Sequence, residues 1–348
     1  MKKYSKILLI ALLAVICFLG CKKLNKDKDL IVSESQEELF FGELPIAYSA
    51  VSHLAYLENL YDDNSYKFNL MSLPAGPDIV ASLRGSGKET AEAGSIAVTP
   101  VVYLASAGYN PIVLATTITS NHRVRIFTTR STKISENYEN LKGKKIGVVL
   151  GTVGEIYLSR LLAKHSLSEK DVVRVNGKPA ELKRLVLSGD IEAAVLWDPF
   201  ITQAKKEYKE GIKIEKYQDR GQGEVLLDST LYTLAFNIVT TKEKLRNNRD
   251  ELVEMLEDLI KASELIKENK TGSQRKLEQW LNLEAGDLDD FMNTTNFEVY
   301  LNTSLMEEWI ESEYTWLKGL KPEIVLPKDY SVFIDESLLK EIDETRVK

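Results

Sequence analysis

The sequence is poor in the residues on which several kinds of protein depend. It has two cysteines, Cys17 and Cys21, both close to the start. The rest of the chain therefore has no disulfide frame. Its three histidines, His53, His122 and His165, are too far apart to give metal-ligand spacing. It has no Gly-x-Ser-x-Gly elbow, no Gly-Lys-Ser/Thr phosphate loop and no dinucleotide glycine fingerprint. A catalytic group, a metal and a cofactor are all unexpected on this inventory. No stripe of lysine and arginine occurs and the net charge is −7, so nucleic acid is not an expected partner. The apolar run Ile7–Gly20 has 14 residues, too short for an ordinary membrane span.

That run follows Lys2, Lys3 and Lys6, which is the layout of a secretory signal. It ends in Phe18-Leu19-Gly20-Cys21, which resembles a bacterial lipobox. The resemblance implies cleavage after Gly20, lipid (palmitate among it) on Cys21, and export to the cell membrane or envelope. Two acyl chains are enough for stable anchoring. A plain signal peptide cut elsewhere is the alternative. Cleavage would remove three lysines and no acid, taking the net charge from −7 to −10. Residues 21–34, with the charged stretch Lys22–Asp29, read as a solvated tether.

Beyond the tether, strand-like and helix-like segments alternate. Strands are expected at Leu39–Phe41, Tyr66–Leu73, Ser95–Val98, Pro111–Ile118, Val124–Thr129, Ile146–Leu150, Asp171–Val175 and Ile191–Trp197. Helices are expected at Ser49–Tyr61, Pro77–Leu83, Pro100–Ser106, Val153 onward and Lys178–Ser188. His165 falls on an apolar stripe with Leu158, Leu161 and Leu162 and reads as a packing residue. Alternation of this kind predicts parallel sheets with helical crossovers. From Lys242 onward the pattern becomes helical, at Glu251–Lys267, Gln274–Leu283 and Leu305–Leu317. The length suits about two domains, and 44% apolar residues suffice for a core.

Ligands of open parallel sheets bind beyond the carboxyl ends of strands, so the turns there are the ones to weigh. Gly151-Thr152-Val153-Gly154 joins a strand to a helix. A helix start offers unpaired N–H groups to an anion. Equally, Gly151 makes the turn and Thr152 caps the helix. Trp197-Asp198-Pro199 ends another strand. Trp197 would wall a pocket and Asp198 accept from a ligand amine, or the pair is a core ring and a helix cap.

These residues also carry a resemblance. "LKGKKIGVVLGTVGEIYLSRLL" and then "LSEKDVVRVNGKPAELKRLVLSGDIEAAVLWDPF" resemble ABC-transporter substrate-binding proteins of the sulfonate/taurine/nitrate and thiamine-pyrimidine-precursor group. Order and spacing agree over Leu141–Phe200. The stretch Leu70–Ala105 is similar more loosely. The resemblance implies a two-lobed α/β fold of the type II periplasmic-binding-protein kind, with a cleft between lobes and a helical C-terminal portion. Lobe one would be residues 35–122 and 235–348, and lobe two residues 123–234. It implies ligand contacts from Pro45, Ile46, Thr99, Ser120, Asn121, Thr152, Val153, Gly154, Trp197, Asp198 and Tyr232. Its partners would be a small polar solute, anionic or zwitterionic, and an ABC permease with its ATPase, with the chain a lipid-anchored monomer. Two other functions remain open at this point. One is an enzyme on the same two lobes, as in some lyases of menaquinone biosynthesis. The other is a surface lipoprotein that serves in interaction after losing transport.

Overall fold

The computed structural model describes residues 37–87, 89–209 and 223–348. The expected signal, Cys21 and the tether lie outside the described residues. In chain order, β1 (Glu38–Glu43) leads through a 3-10 turn at Ala47–Ser49 into α1 (Ala50–Leu57). Next come β2 (Lys67–Ser72), α2 (Gly76–Arg84), β3 (Ala93–Ala97), α3 (Val98–Ser106) and β4 (Pro111–Ser120). The chain then crosses to β5 (Arg125–Thr129), β6 (Lys145–Val148), α4 (Val153–Lys164), β7 (Val173–Asn176), α5 (Pro179–Ser188), β8 (Ala193–Leu196), α6 (Phe200–Lys209) and β9 (Gly223–Leu226). It returns in β10 (Leu234–Thr241) and continues through α7 (Lys242–Asn247), α8 (Arg249–Glu268), α9 (Lys270–Trp280), α10 (Asp289–Thr294), β11 (Asn296–Tyr300), α11 (Thr303–Leu320) and α12 (Ser337–Asp343).

Two sheets result, ordered β11-β4-β10-β3-β1-β2 and β7-β6-β8-β5-β9. Each sheet with its helices is a lobe. The expectation of parallel sheets holds where helices make the crossovers: β1 is parallel to β2 and β3, and β6 to β7 and β8. It fails for the strands next to the crossings, and both sheets are mixed. β10 is antiparallel to β3 and β4, and β5 to β8 and β9. The reason is directional. A strand entering from the other lobe arrives at the opposite end of the sheet, so it inserts reversed and needs no helix. Central strands are buried on both faces: β10 (LAFNIVTT) is wholly buried, whereas edge strand β7 (VRVN) is largely exposed.

The expected helix Ser49–Tyr61 is shorter, ending at Leu57. His165 closes α4 and is only half-buried, its ring stacked 4.3 Å from that of Tyr138. In each sheet one strand has its successors on either side. β1 lies between β2 and β3, and β6 between β7 and β8. The carboxyl ends of such strands are where open α/β sheets receive ligands. Among the described residues no helix is long and apolar enough to cross a membrane.

Candidate functional site

In the second lobe, the β6–α4 turn places Gly151 at φ +75°, a left-handed conformation that glycine adopts without cost. The Thr152 hydroxyl donates to the Val149 carbonyl (2.7 Å) and accepts from the Gly154 N–H (3.2 Å). It is a helix cap, as one of the two sequence readings had it. Gly151 N–H donates to Glu155 Oε2 (2.8 Å). The N–H groups of Thr152 and Val153 are left without an acceptor among the described residues, at the positive end of α4. Gly154 lies against Trp197: a methyl there would sit 3.5 Å from the ring. Trp197 is buried, yet its indole N–H has no partner among the described residues.

A second group gathers on the first lobe and the return crossing. Thr99 is fully buried at the start of α3, Tyr232 lies on the crossing, and Glu313 lies on α11. The Tyr232 hydroxyl donates to Glu313 Oε1 (2.7 Å). Glu313 Oε2 and the Thr99 hydroxyl complete no hydrogen bond with a described residue. Burial raises the Glu313 carboxyl to about 7, against the opposing pull of Thr99, Tyr232 and Arg160. Arg160 gives its terminal nitrogens to the Leu231 carbonyl and the Ser312 hydroxyl, both at 3.0 Å, and its guanidinium lies 5.4 Å from the Tyr232 ring. No salt bridge joins Glu313 to a described cation.

Asp198 sits differently from its expected role. Its carboxylate accepts from Arg125 (2.5 Å), Arg123 (3.5 Å) and Thr202 (3.0 Å). Arg123, wholly buried, also donates to Asp290 (2.9 Å) and to Thr294. The expected amine acceptor is thus engaged in an ion cluster at the crossing. Ser120 anchors the same region by donating to the Thr294 carbonyl (2.8 Å). Pro45 and Asn121 are exposed, and Ile46 is buried. Just beyond Ile46, Tyr48 donates to the Arg123 carbonyl (3.0 Å), and the buried Ser49 hydroxyl is unpartnered among the described residues.

The two groups face each other through α3 and α4. Tyr103, one turn beyond Thr99, donates to Glu155 Oε2 (2.9 Å), one residue beyond Gly154. Beside this contact lies a cavity of about 570 Å³, bounded by Pro77, Arg84, Pro100, Gly151, Arg174 and Lys321 among others. A second, of about 630 Å³, reaches Arg125, Asp198, Lys206 and Asp290. Among the described residues no three of His, Cys, Asp and Glu are placed to hold a metal ion. Sequence reasoning missed Ser49, Tyr103 and Glu313. For Glu313 a signal existed: Met306, Ile310, Glu313 and Leu317 share one helical stripe, so the acid falls where an apolar residue belongs.

Solved structures share this architecture. The periplasmic aliphatic sulphonate binding protein SsuA from Escherichia coli aligns with a TM-score of 0.70 at 18% identity, over 87% of this chain and 93% of that one. The periplasmic nitrate-binding protein NrtA from Synechocystis PCC 6803 aligns with a TM-score of 0.69 at 13% identity, over 89% of each chain. The alkanesulfonate-binding protein SsuA from Xanthomonas axonopodis pv. citri, bound to MOPS, gives 0.68 at 16%, over 86% and 98%. At these identities the likeness establishes the fold, that of periplasmic binding proteins. No curated protein matches the sequence. The family described as NMT1/THI5 like matches residues 73–270, more than half of the chain, and the protein belongs to it.

Proposed function

We propose that this protein captures a small polar solute between its lobes and delivers it to an ABC importer. One observation carries the reading: buried polar atoms in the turns after strands and on α11 have no completed hydrogen bond among the described residues. They are the Ser49 and Thr99 hydroxyls, the Trp197 indole N–H and Glu313 Oε2. A buried polar group left unpaired costs about 1–3 kcal/mol, so such atoms, three after strands and one on α11, call for a partner from outside the chain. The Thr152 and Val153 N–H groups add an anion-seeking end. The fold shared with sulphonate- and nitrate-binding proteins agrees with this use.

Of the residues inferred from sequence, Thr152, Val153 and Gly154 act through backbone and space, Trp197 and Thr99 through their polar atoms, and Tyr232 by holding Glu313. Pro45, Ile46, Ser120, Asn121 and Asp198 shape the rim and the crossing. The chain works as an exported monomer, lipid-anchored at Cys21. Two measurements test this. Solute released by denaturing freshly purified protein is identified by mass spectrometry, and a thermal-shift screen covers sulfonates, nitrate, pyrimidines and amino acids. A ligand at about 100 times its Kd adds about 2.7 kcal/mol to the folded state. Absence of both released solute and any shift would sink the reading. Intact mass that shows an unmodified new N-terminus would remove the anchor.

A further inference from the structure

Glu313 is the least explained group in the molecule. It is a carboxyl buried to 2% exposure on the core-facing stripe of α11, with one oxygen bound by Tyr232 and the other beside the Thr99 hydroxyl but without a completed hydrogen bond among the described residues. A buried carboxyl in a protein is ordinarily matched by a cation, because desolvation is otherwise uncompensated. The nearest cation, Arg160, is turned to Leu231 and Ser312 instead. Every neighbour that acts on the carboxyl favours its ionised form. Tyr232 donates to Oε1, the Thr99 hydroxyl lies beside it, and Arg160 adds positive charge. Burial outweighs them and raises the carboxyl to about 7, so a cation placed beside Oε2 is what would hold it ionised.

The donors lie elsewhere. The Trp197 indole N–H and the Thr152 and Val153 N–H groups can only give hydrogen bonds, and they stand on the second lobe at the positive end of α4. Of the buried acids at strand ends, Asp198 is neutralised by Arg123 and Arg125, and Glu43 is held by His53 and Ser52. That leaves Glu313 as the acceptor for a solute's positive end. Resting on the solute-binding reading above, we infer that the solute is a small zwitterion. Its protonated nitrogen binds Glu313 Oε2 on the first lobe, and its sulfonate, carboxylate or phosphonate binds the α4 end on the second. Such a molecule touches both lobes with opposite charges. A simple anion would leave Glu313 without a cation, and burial would then favour its uncharged form.

Matched pairs test this directly by calorimetry on the detergent-solubilised full chain. The pairs are taurine and ethanesulfonate, β-alanine and propionate, and 2-aminoethylphosphonate and ethylphosphonate. The expected result is that at least one amine-bearing member binds ten times or more tighter than its amine-free partner. Glu313→Gln, which keeps the volume, should bring that ratio near one, chiefly by weakening the amine-bearing member. Tyr232→Phe keeps the carboxylate and should preserve the preference. If Glu313→Gln does not fold, the wild-type ratio decides. Equal affinities within every pair that binds, or a ratio that survives Glu313→Gln, overturns the inference and leaves solute binding standing. The same holds if the co-purified solute lacks a basic nitrogen. If no pair binds and no solute is released, solute binding itself fails and this inference with it.

Discussion

An acid on an apolar stripe makes a protein's stability depend on pH, and Glu313 gives that dependence a sign. Its folded-state carboxyl is raised from 4.5 to about 7, chiefly by burial. A raised carboxyl contributes stability that is fully present below the unfolded value and lost as pH climbs through the folded one. The solute-free protein should therefore lose stability between about pH 4.5 and 7, by a few kcal/mol from this group. Glu43 and Glu92 are raised as well, so the measurement must isolate Glu313. Chemical denaturation of wild type and Glu313→Gln across that range should give a difference that shrinks toward low pH. Parallel curves would mean that Glu313 is not the titrating group. Thr152 tests a different point at the same scale. Its hydroxyl is turned to Val149 and Gly154, so Thr152→Ala should cost about 0.5–2 kcal/mol of stability, the usual loss of a cap. Because the backbone N–H survives, affinity for the solute should change less than threefold. A larger loss of affinity would put the hydroxyl itself on the ligand.

At the scale of elements, the α4 end separates structural from binding needs. Gly151 is fixed by its positive φ, but Gly154 is not: a methyl there meets only ordinary contacts, at 3.5 Å from Thr152 Oγ1 and the Trp197 ring. Gly154→Ala should make the helix start more stable, by up to about 1 kcal/mol. It should also fill the space beside Trp197 and weaken solute binding tenfold or more, read by melting temperature and calorimetry together. Unchanged affinity would free Gly154 of any role in binding. The same elements mark what the sequence made legible. Strands β1 to β8 and the helices between them carry strong periodicity and clear stops, such as Pro179 opening α5 and Gly189 closing it at φ +75°. Strand β10 is an apolar run without alternation, because both its faces are covered, and β9 and β11 are short segments whose partners lie far along the chain. Their pairing is set by the crossings, not by local pattern. The turns after strands were legible as places. Which atoms in them are unpartnered was not: the competing bonds of Asp198 to Arg123 and Arg125, and of Glu313 to Tyr232, join residues far apart in sequence.

At the scale of the whole molecule, the lobes are joined covalently by two short crossings, one after Ser120 and one before Leu234. Elsewhere between them the side-chain links are polar. Tyr103 donates to Glu155 (2.9 Å), Arg160 to Ser312 (3.0 Å), and Lys206 pairs with Glu284 and Asp287 (2.7 Å each). The exposed ion pairs among them contribute little and weaken with salt, while the links that buried Arg123 makes to Asp290 and buried Tyr232 to Glu313 sit at the crossings themselves. Swinging the lobes apart about the crossings, with those two links kept, would therefore cost little without solute. A solute that touches both lobes binds the joined arrangement better than the separated one, and only such a difference can shift the equilibrium. Small-angle scattering should then show a smaller radius of gyration with solute than without. Raising the salt should enlarge the solute-free particle and leave the loaded one unchanged, because the solute's own contacts are buried and less screened. Tyr103→Phe should act like salt, since it removes one link without touching Glu313 or the α4 N–H groups. A solute that binds tightly while both scattering curves coincide, at low and high salt alike, would mean that the lobes form a rigid receptor. The polar links would then be simple surface pairs, and capture would need another route into the cleft.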